Sequence, residues 1–138
     1  MRNDGIKFDV HFKNYILPNI VIFDLKKVSS DKAVADIFRV FLQTSSALKD
    51  SKFDKIILSF QGKDKFYLKG DYFKQLGKTY EIQNPIYTMR TFPEHVFNLK
   101  GVNAYGVWSG GLLGVLSKQM KDFNNKWYLN DINNQFYK

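Results

Sequence analysis

Apolar and polar residues alternate along Ile6–Phe12, IKFDVHF, the period of a strand buried on one face. Pro18-Asn19 punctuates the chain, and the β-branched stretch Ile20–Val28, IVIFDLKKV, reads as a second strand. Ser29, Ser30 and Asp31 then offer helix caps. From Lys32 to about Leu48 the apolar residues Val34, Ile37, Phe38, Phe41, Leu42 and Leu48 fall mostly three or four apart, which predicts a helix with one buried face. Phe53–Phe60 is a third strand; QGKD turns it, with Asp64 as a turn residue, and Lys65–Lys69 returns as the other half of a hairpin. Gly70-Asp71 opens a short helix through Leu76 that Gly77 closes.

Beyond this, Pro85–Phe92 is predicted extended, and Pro93–Phe97 forms one helical turn with proline at its first position. NLKG turns again and leads into a short strand over Val102–Trp108. Leu112, Leu116, Met120, Phe123 and Trp127 recur every three or four residues, while Lys118, Lys121, Asp122 and Lys126 take the other faces. This is an amphipathic helix from about Gly110 to Leu129, capped by Ser109, and the polar stretch 130–138 reads as a frayed tail. The resulting order, β-β-α-β-β-α-β-β-α, predicts a single α+β domain over residues 1–138. Its mainly antiparallel sheet has five or six strands, and the long C-terminal amphipathic helix packs on it.

Composition sharpens this picture in three ways. The chain is 138 residues long, 44% hydrophobic and 17% aromatic, which suits one domain with an aromatic core and argues against intrinsic disorder. Cysteine is absent, so disulfides, thiol nucleophiles, iron–sulfur clusters and cysteine-based zinc sites are excluded. The net charge is +8, from 21 Lys and Arg against 13 Asp and Glu, and most of the basic residues are lysine. Lysine is a point charge without the planar fork that reads phosphates and base edges, so the plainer reading is a solubilising surface. No stretch reaches the roughly 18 apolar residues of a membrane span. MRNDGIKFDV lacks the apolar core of a signal peptide, so a soluble protein is expected and its compartment stays open.

Four groups of residues offer candidate chemistry. The glycines of YGVWSGGLLGVLSKQM match no phosphate loop, dinucleotide fingerprint or nucleophile elbow, because the lysine, the spacing and the leading glycine of those motifs are missing. What remains is close packing at Gly110, Gly111 and Gly114, or an anion held by the free N–H groups at Ser109, Gly110 and Gly111. A second group, in YTMRTFPEHVF, joins Arg90, Glu94 and His95. It is either an anion or acid–base site, or an Arg90–Glu94 ion pair that pins the turn. A third pairs Asp9 with His11, two apart and therefore on one face of a strand; no spacing supports a metal site there or elsewhere. The fourth is a lysine-rich hairpin, Lys55, Lys63, Lys65 and Lys69 with Tyr67, where Phe60 and Phe66 add rings on which bases could stack.

The leading functional expectation is a non-enzymatic module that binds another protein. Histidines are few, cysteine is absent, and Tyr15, Tyr67, Tyr72, Tyr80, Tyr87 and Tyr105 cannot all be core. Tyrosine, tryptophan and arginine are the usual interface anchors. The alternatives are nucleic-acid binding through the lysine hairpin, and a small anionic ligand or an enzymatic reaction near Arg90 and the helix start at Ser109. No catalytic set, metal or cofactor is read from the sequence.

Overall fold

The computed structural model describes residues 5–13, 19–29, 34–80, 91–105 and 113–136. Its architecture is α+β. β1 (Ile6–Phe12) and β2 (Ile20–Val28) form an antiparallel pair, closed by a hydrogen bond from the Lys13 N–H to the Ile20 carbonyl at 2.8 Å. α1 (Val34–Ala47) then crosses the sheet, so β3 (Lys55–Phe60) lies parallel to β2, with Val21 opposite Ile56 and Leu25 opposite Phe60. A crossover helix carries the chain back to the end of the sheet where β2 began, and this makes the next strand parallel. β4 (Lys63–Lys69) and β5 (Phe97–Asn98) add antiparallel neighbours, giving a mixed sheet in the order β1-β2-β3-β4-β5.

Residues opposed across a ladder point to the same face. Register therefore places Val21, Phe23, Leu25, Ile56, Leu58, Phe60, Phe66 and Leu68 together, and all of them are buried. The helices pack here. Phe41 of α1 meets Phe23 edge-on at 5.5 Å, and Phe73 of α2 (Gly70–Thr79) lies 5.2 Å from Phe41. Phe123 and Trp127 of the C-terminal helix sit 5.4 Å from Phe66 and 5.8 Å from Phe23. The core is thus a lattice of tilted and edge-to-face rings, the arrangements that aromatic quadrupoles favour. β3 is the central strand, and KIILSF is buried from Ile56 onward, which explains its near-continuous apolar run.

Several local features differ from the sequence reading. The turn between β3 and β4 is Gln61-Gly62, both at positive φ (50° and 83°), so β4 begins at Lys63 and Asp64 belongs to the strand. Gly77 does not close α2, which runs on to Thr79; it is an interior packing position. A Cβ built there would fall 2.1 Å from the Ser45 carbonyl oxygen, so α2 meets α1 backbone to backbone. Phe92 lies in a 3-10 turn (Phe92–His95), with Pro93 near its start; Thr91 before it is helical rather than extended, and the rest of the expected extended segment lies outside the described residues.

The C-terminal helix, α3 (Leu113–Asn124), continues through a π-helical segment, Asn125–Leu129, into Asn130–Phe136. The polar stretch from residue 130, expected as a loose tail, is therefore helical to Phe136, and Ile132 packs against the core. The wide π turn has a visible cause. It brings the consecutive residues Trp127 and Tyr128 to one side, and both are only 1% exposed. Each then satisfies its polar atom. Trp127 Nε1 donates to the Ser59 carbonyl at 2.9 Å, and the Tyr128 hydroxyl donates to Asn124 Oδ1 at 2.9 Å.

Candidate functional site

Among the described residues the helices cover one face of the sheet, so the other face decides what the strands display. Register places Lys55 opposite Lys69, and Ile57, Tyr67 and Phe97 in one cross-strand row on that second face. Two like charges directly opposed would repel. Here each ammonium lies over a ring instead: Lys55 Nζ is 4.7 Å from the centre of Tyr67, and Lys69 Nζ is 5.3 Å from that of Phe97. The two rings stack on each other at 5.2 Å with planes 15° apart. Cation–π attraction and stacking thus hold two lysines side by side, and among the described residues neither ammonium is paired with a carboxylate.

The loop after β5 completes this end of the sheet. Asn98 Oδ1 accepts from the N–H groups of Lys100 (2.9 Å) and Val102 (3.1 Å), and the Asn98 N–H donates to the Val102 carbonyl at 2.9 Å. Gly101, at φ 86°, supplies the left-handed residue the turn requires. Its position is 3.6 Å from the Tyr67 hydroxyl, measured from where a Cβ would stand, so the loop sits beside the stacked rings. A loop fixed by this many bonds presents Leu99 and Val102 outward, 54% and 59% exposed.

The structure divides the sequence-predicted lysine hairpin. Lys55, Lys69 and Tyr67 come together. Lys63 does not join them: the register shifts between Leu58 and Ser59, and Lys63 opposes Phe60 of the helix-bearing face. Lys65 is the extra residue at that shift, and its ammonium is taken by Asp131 at 2.8 Å. A bulge re-aims side chains in this way. Phe60 and Phe66, expected as stacking surfaces, are buried in the core.

Of the other candidates, Arg90, Ser109, Gly110 and Gly111 lie outside the described residues, as do the surroundings of Gly114. Glu94 and His95 are half-buried in the 3-10 turn. The His95 ring stacks on Tyr72 at 3.7 Å, nearly parallel. Burial holds the His95 pKa below its ordinary value; Glu94 works against this and Lys69 with it. His11 and Asp9 form a 2.7 Å pair on exposed β1, as their spacing requires. Two features that the sequence did not mark stand out. Asp24 on β2 is 2% exposed, and takes the Lys26 ammonium at 2.7 Å, the Ser59 hydroxyl at 2.8 Å and the Gly62 N–H at 3.1 Å. Burial would raise its pKa, but these three donors outweigh it and hold the carboxyl below its ordinary value. The second is a cleft of about 330 Å³ at the edge of β4, lined by residues that include Asp64, Phe66 and Tyr105.

No family model, curated protein or solved structure matches the chain. No helix among the described residues is long and apolar enough to cross a membrane.

Proposed function

We propose that this protein is a binding module for another protein, and that it docks through the β4–β5 end of its sheet onto an acidic surface with an apolar centre. The observation that carries this reading is the pair Leu99 and Val102, exposed on a hydrogen-bonded loop beside the Tyr67–Phe97 stack. Single exposed apolar residues are ordinary on protein surfaces. Two in one pre-organised loop next to two rings form a patch, and patches of this kind mark interaction sites. A loop already held in place loses little entropy on binding, which favours affinity. Lys55 and Lys69 on the same face, with Lys100 in the loop, make the complementary partner acidic.

The arrangement supports a protein over a nucleic acid. The Tyr67 ring is already engaged by Phe97 and by Lys55, so a base could stack only after displacing one of them. Lys63 and Lys65, which would extend a phosphate track, are turned elsewhere.

The test is capture from native extract by the wild-type chain and by the double variant Leu99→Asp, Val102→Asp, with thermal unfolding of both as the control. The expected result is an unchanged melting temperature and a protein retained by the wild type but lost by the variant. If both chains retain the same set, the patch is not the docking surface. Steeply salt-dependent binding of a single-stranded oligonucleotide at about 50 mM salt would favour the nucleic-acid reading instead.

A further inference from the structure

β1 stands at one end of the sheet, and among the described residues its only strand neighbour is β2. Its other side is an edge. The ladder decides which backbone groups face that edge. The Lys13 N–H donates to the Ile20 carbonyl, and the Gly5 carbonyl accepts from the Ser29 N–H, so the odd-numbered residues of this segment turn their polar groups to β2. Directions alternate along a strand, and Phe8, Val10 and Phe12 therefore turn N–H and carbonyl groups outward. The register shift between Lys7 and Phe8 places its extra residue, Lys26, in β2, which leaves this alternation intact. An edge of this kind is a template for a further strand. The stretch Phe8–Phe12, FDVHF, holds no lysine, proline or glycine to blunt it.

The side chains give the edge two different faces. Phe8, Val10 and Phe12 oppose Leu25, Phe23 and Val21, and so lie on the helix-bearing face. Phe8 stacks on Phe23 at 5.2 Å, whereas Phe12 at the end of the row is 50% exposed. Asp9 and His11 lie on the other face, exposed and 2.7 Å apart.

We propose that β1 pairs antiparallel with β1 of a second copy of this chain, about a two-fold axis at Val10, joining the two sheets edge to edge. Val10 then faces Val10 of the second copy, and each Phe12 faces the other copy's Phe8. These outward-facing pairs exchange two backbone hydrogen bonds each. Between them, each His11 faces the other copy's Asp9. Self-complementarity is what selects a second copy over another strand. A centre at Asp9 opposes two like carboxylates, a centre at His11 opposes two imidazoles, and a centre at Phe8 leaves Phe12 bare. The centre at Val10 sets ring against ring on one face and acid against base on the other, the pairs that stabilise neighbouring strands. Beyond Phe12 it brings the exposed Lys7 and Lys13 of opposite copies together, and like charges confine the pairing to Phe8–Phe12. An interface made of one patch against itself closes at two copies. It lies at the opposite end of the sheet order from the proposed β4–β5 docking surface, so either can fail alone.

The experiment combines sedimentation with amide hydrogen exchange, on dilute and on millimolar samples. The wild type is expected to form dimers as its concentration rises. The Phe8, Val10 and Phe12 amides should become protected only in the dimer, while those of Asp9 and His11, bonded to β2, are protected in both samples. Val10→Pro removes an outward N–H from each copy, a substitution that an edge strand tolerates. It should weaken association about 10- to 100-fold, the range for two lost hydrogen bonds, with the melting temperature as the control. Asp9→Lys and His11→Glu provide a test that does not depend on that variant folding. Each alone should stay monomeric, because it opposes like groups. Mixed, they should associate, with Lys at position 9 facing Glu at position 11 and His11 facing Asp9. A wild type that remains monomeric at millimolar concentration overturns the proposal. So does a dimer in which the Phe8, Val10 and Phe12 amides stay unprotected, or a mixture of the two charge variants that fails to associate. Protection of those amides only by a different captured protein would assign the edge to that partner and likewise overturn self-pairing.

Discussion

Asp24 is an acidic residue in the middle of an apolar strand, and its three donors come from three different places: Lys26 two residues on, Ser59 on the neighbouring strand, and Gly62 in the β3–β4 turn. It ties β2 to the hairpin beside it. A carboxyl held below its ordinary value of 3.8 contributes stability above that pH, and the contribution is lost as the pH falls through the folded value. Asp24→Asn should therefore cost about 1–3 kcal/mol at neutral pH, read by urea unfolding, and should flatten the loss of stability in acid. His95 acts in a separate window. Its ring is favoured neutral in the fold, so its contribution is present above the ordinary value of 6.5 and lost as the pH falls below it. His95→Gln should remove that step, leave the acid step of Asp24 in place, and cost about 0.5–1.5 kcal/mol through the lost stack on Tyr72. Unfolding curves collected from neutral pH into acid separate the two. Neither role could be read from the chain. Asp24 looked like any polar position of a strand, and Glu94–His95 was legible as a cluster but not as a stacked ring.

At the scale of elements, Gly77 in α2 is a close-packing position, a role the sequence reading did not give it. The α1–α2 contact leaves no space for a side chain there, since the nearest atoms are the Ser45 carbonyl group and the Ser46 nitrogen, all backbone. Gly77→Ala should destabilise by about 1–3 kcal/mol through overpacking, more than the small gain alanine brings within a helix. A stability equal to or above the wild type would show that the helices slide apart at little cost. The last helix makes a second prediction. Trp127 joins it to the centre of the sheet through the Ser59 carbonyl, so Trp127→Phe should cost about 1–3 kcal/mol while preserving most of the ring packing. Thermal unfolding measures both changes. The apolar spacing of this helix was legible; its π turn and its continuation to Phe136 were not. They depend on Trp127 and Tyr128 both finding core, and on Asp131 and Gln135 finding Lys65 and Gln61.

For the whole molecule, charge and shape are distributed unevenly. Among the described residues Lys55 and Lys69 have no carboxylate partner, and both lie over the stacked rings on one face. An acidic partner docked at the Leu99–Val102 loop should lose affinity several-fold between about 0.1 and 1 M salt, where the Debye length shrinks from roughly 10 to 3 Å. The apolar part of the contact should persist, and binding isotherms at the two salt concentrations would show this. Complete loss of binding at high salt would point to a purely electrostatic contact and away from Leu99 and Val102.

The sequence by itself determined the α+β class, β1 and β2, the buried face of α1, the β3–β4 hairpin and the amphipathic C-terminal helix. These follow from local periodicity, which backbone geometry converts directly into a buried face. It also foretold that the tyrosines would not all be core: Tyr67, Tyr72, Tyr80 and Tyr105 are half-buried. Only the tertiary structure decided that β2 and β3 run parallel, because that depends on where α1 returns the chain. Only register decided that Lys55, Lys69 and Tyr67 share a face with Phe97, 28 residues beyond Lys69. One extra residue in β4 turned Lys63 away from that face and left Lys65 to Asp131. Periodicity describes a strand against itself, whereas a site is made by which strands meet and in what register, and that is fixed by packing across the whole chain.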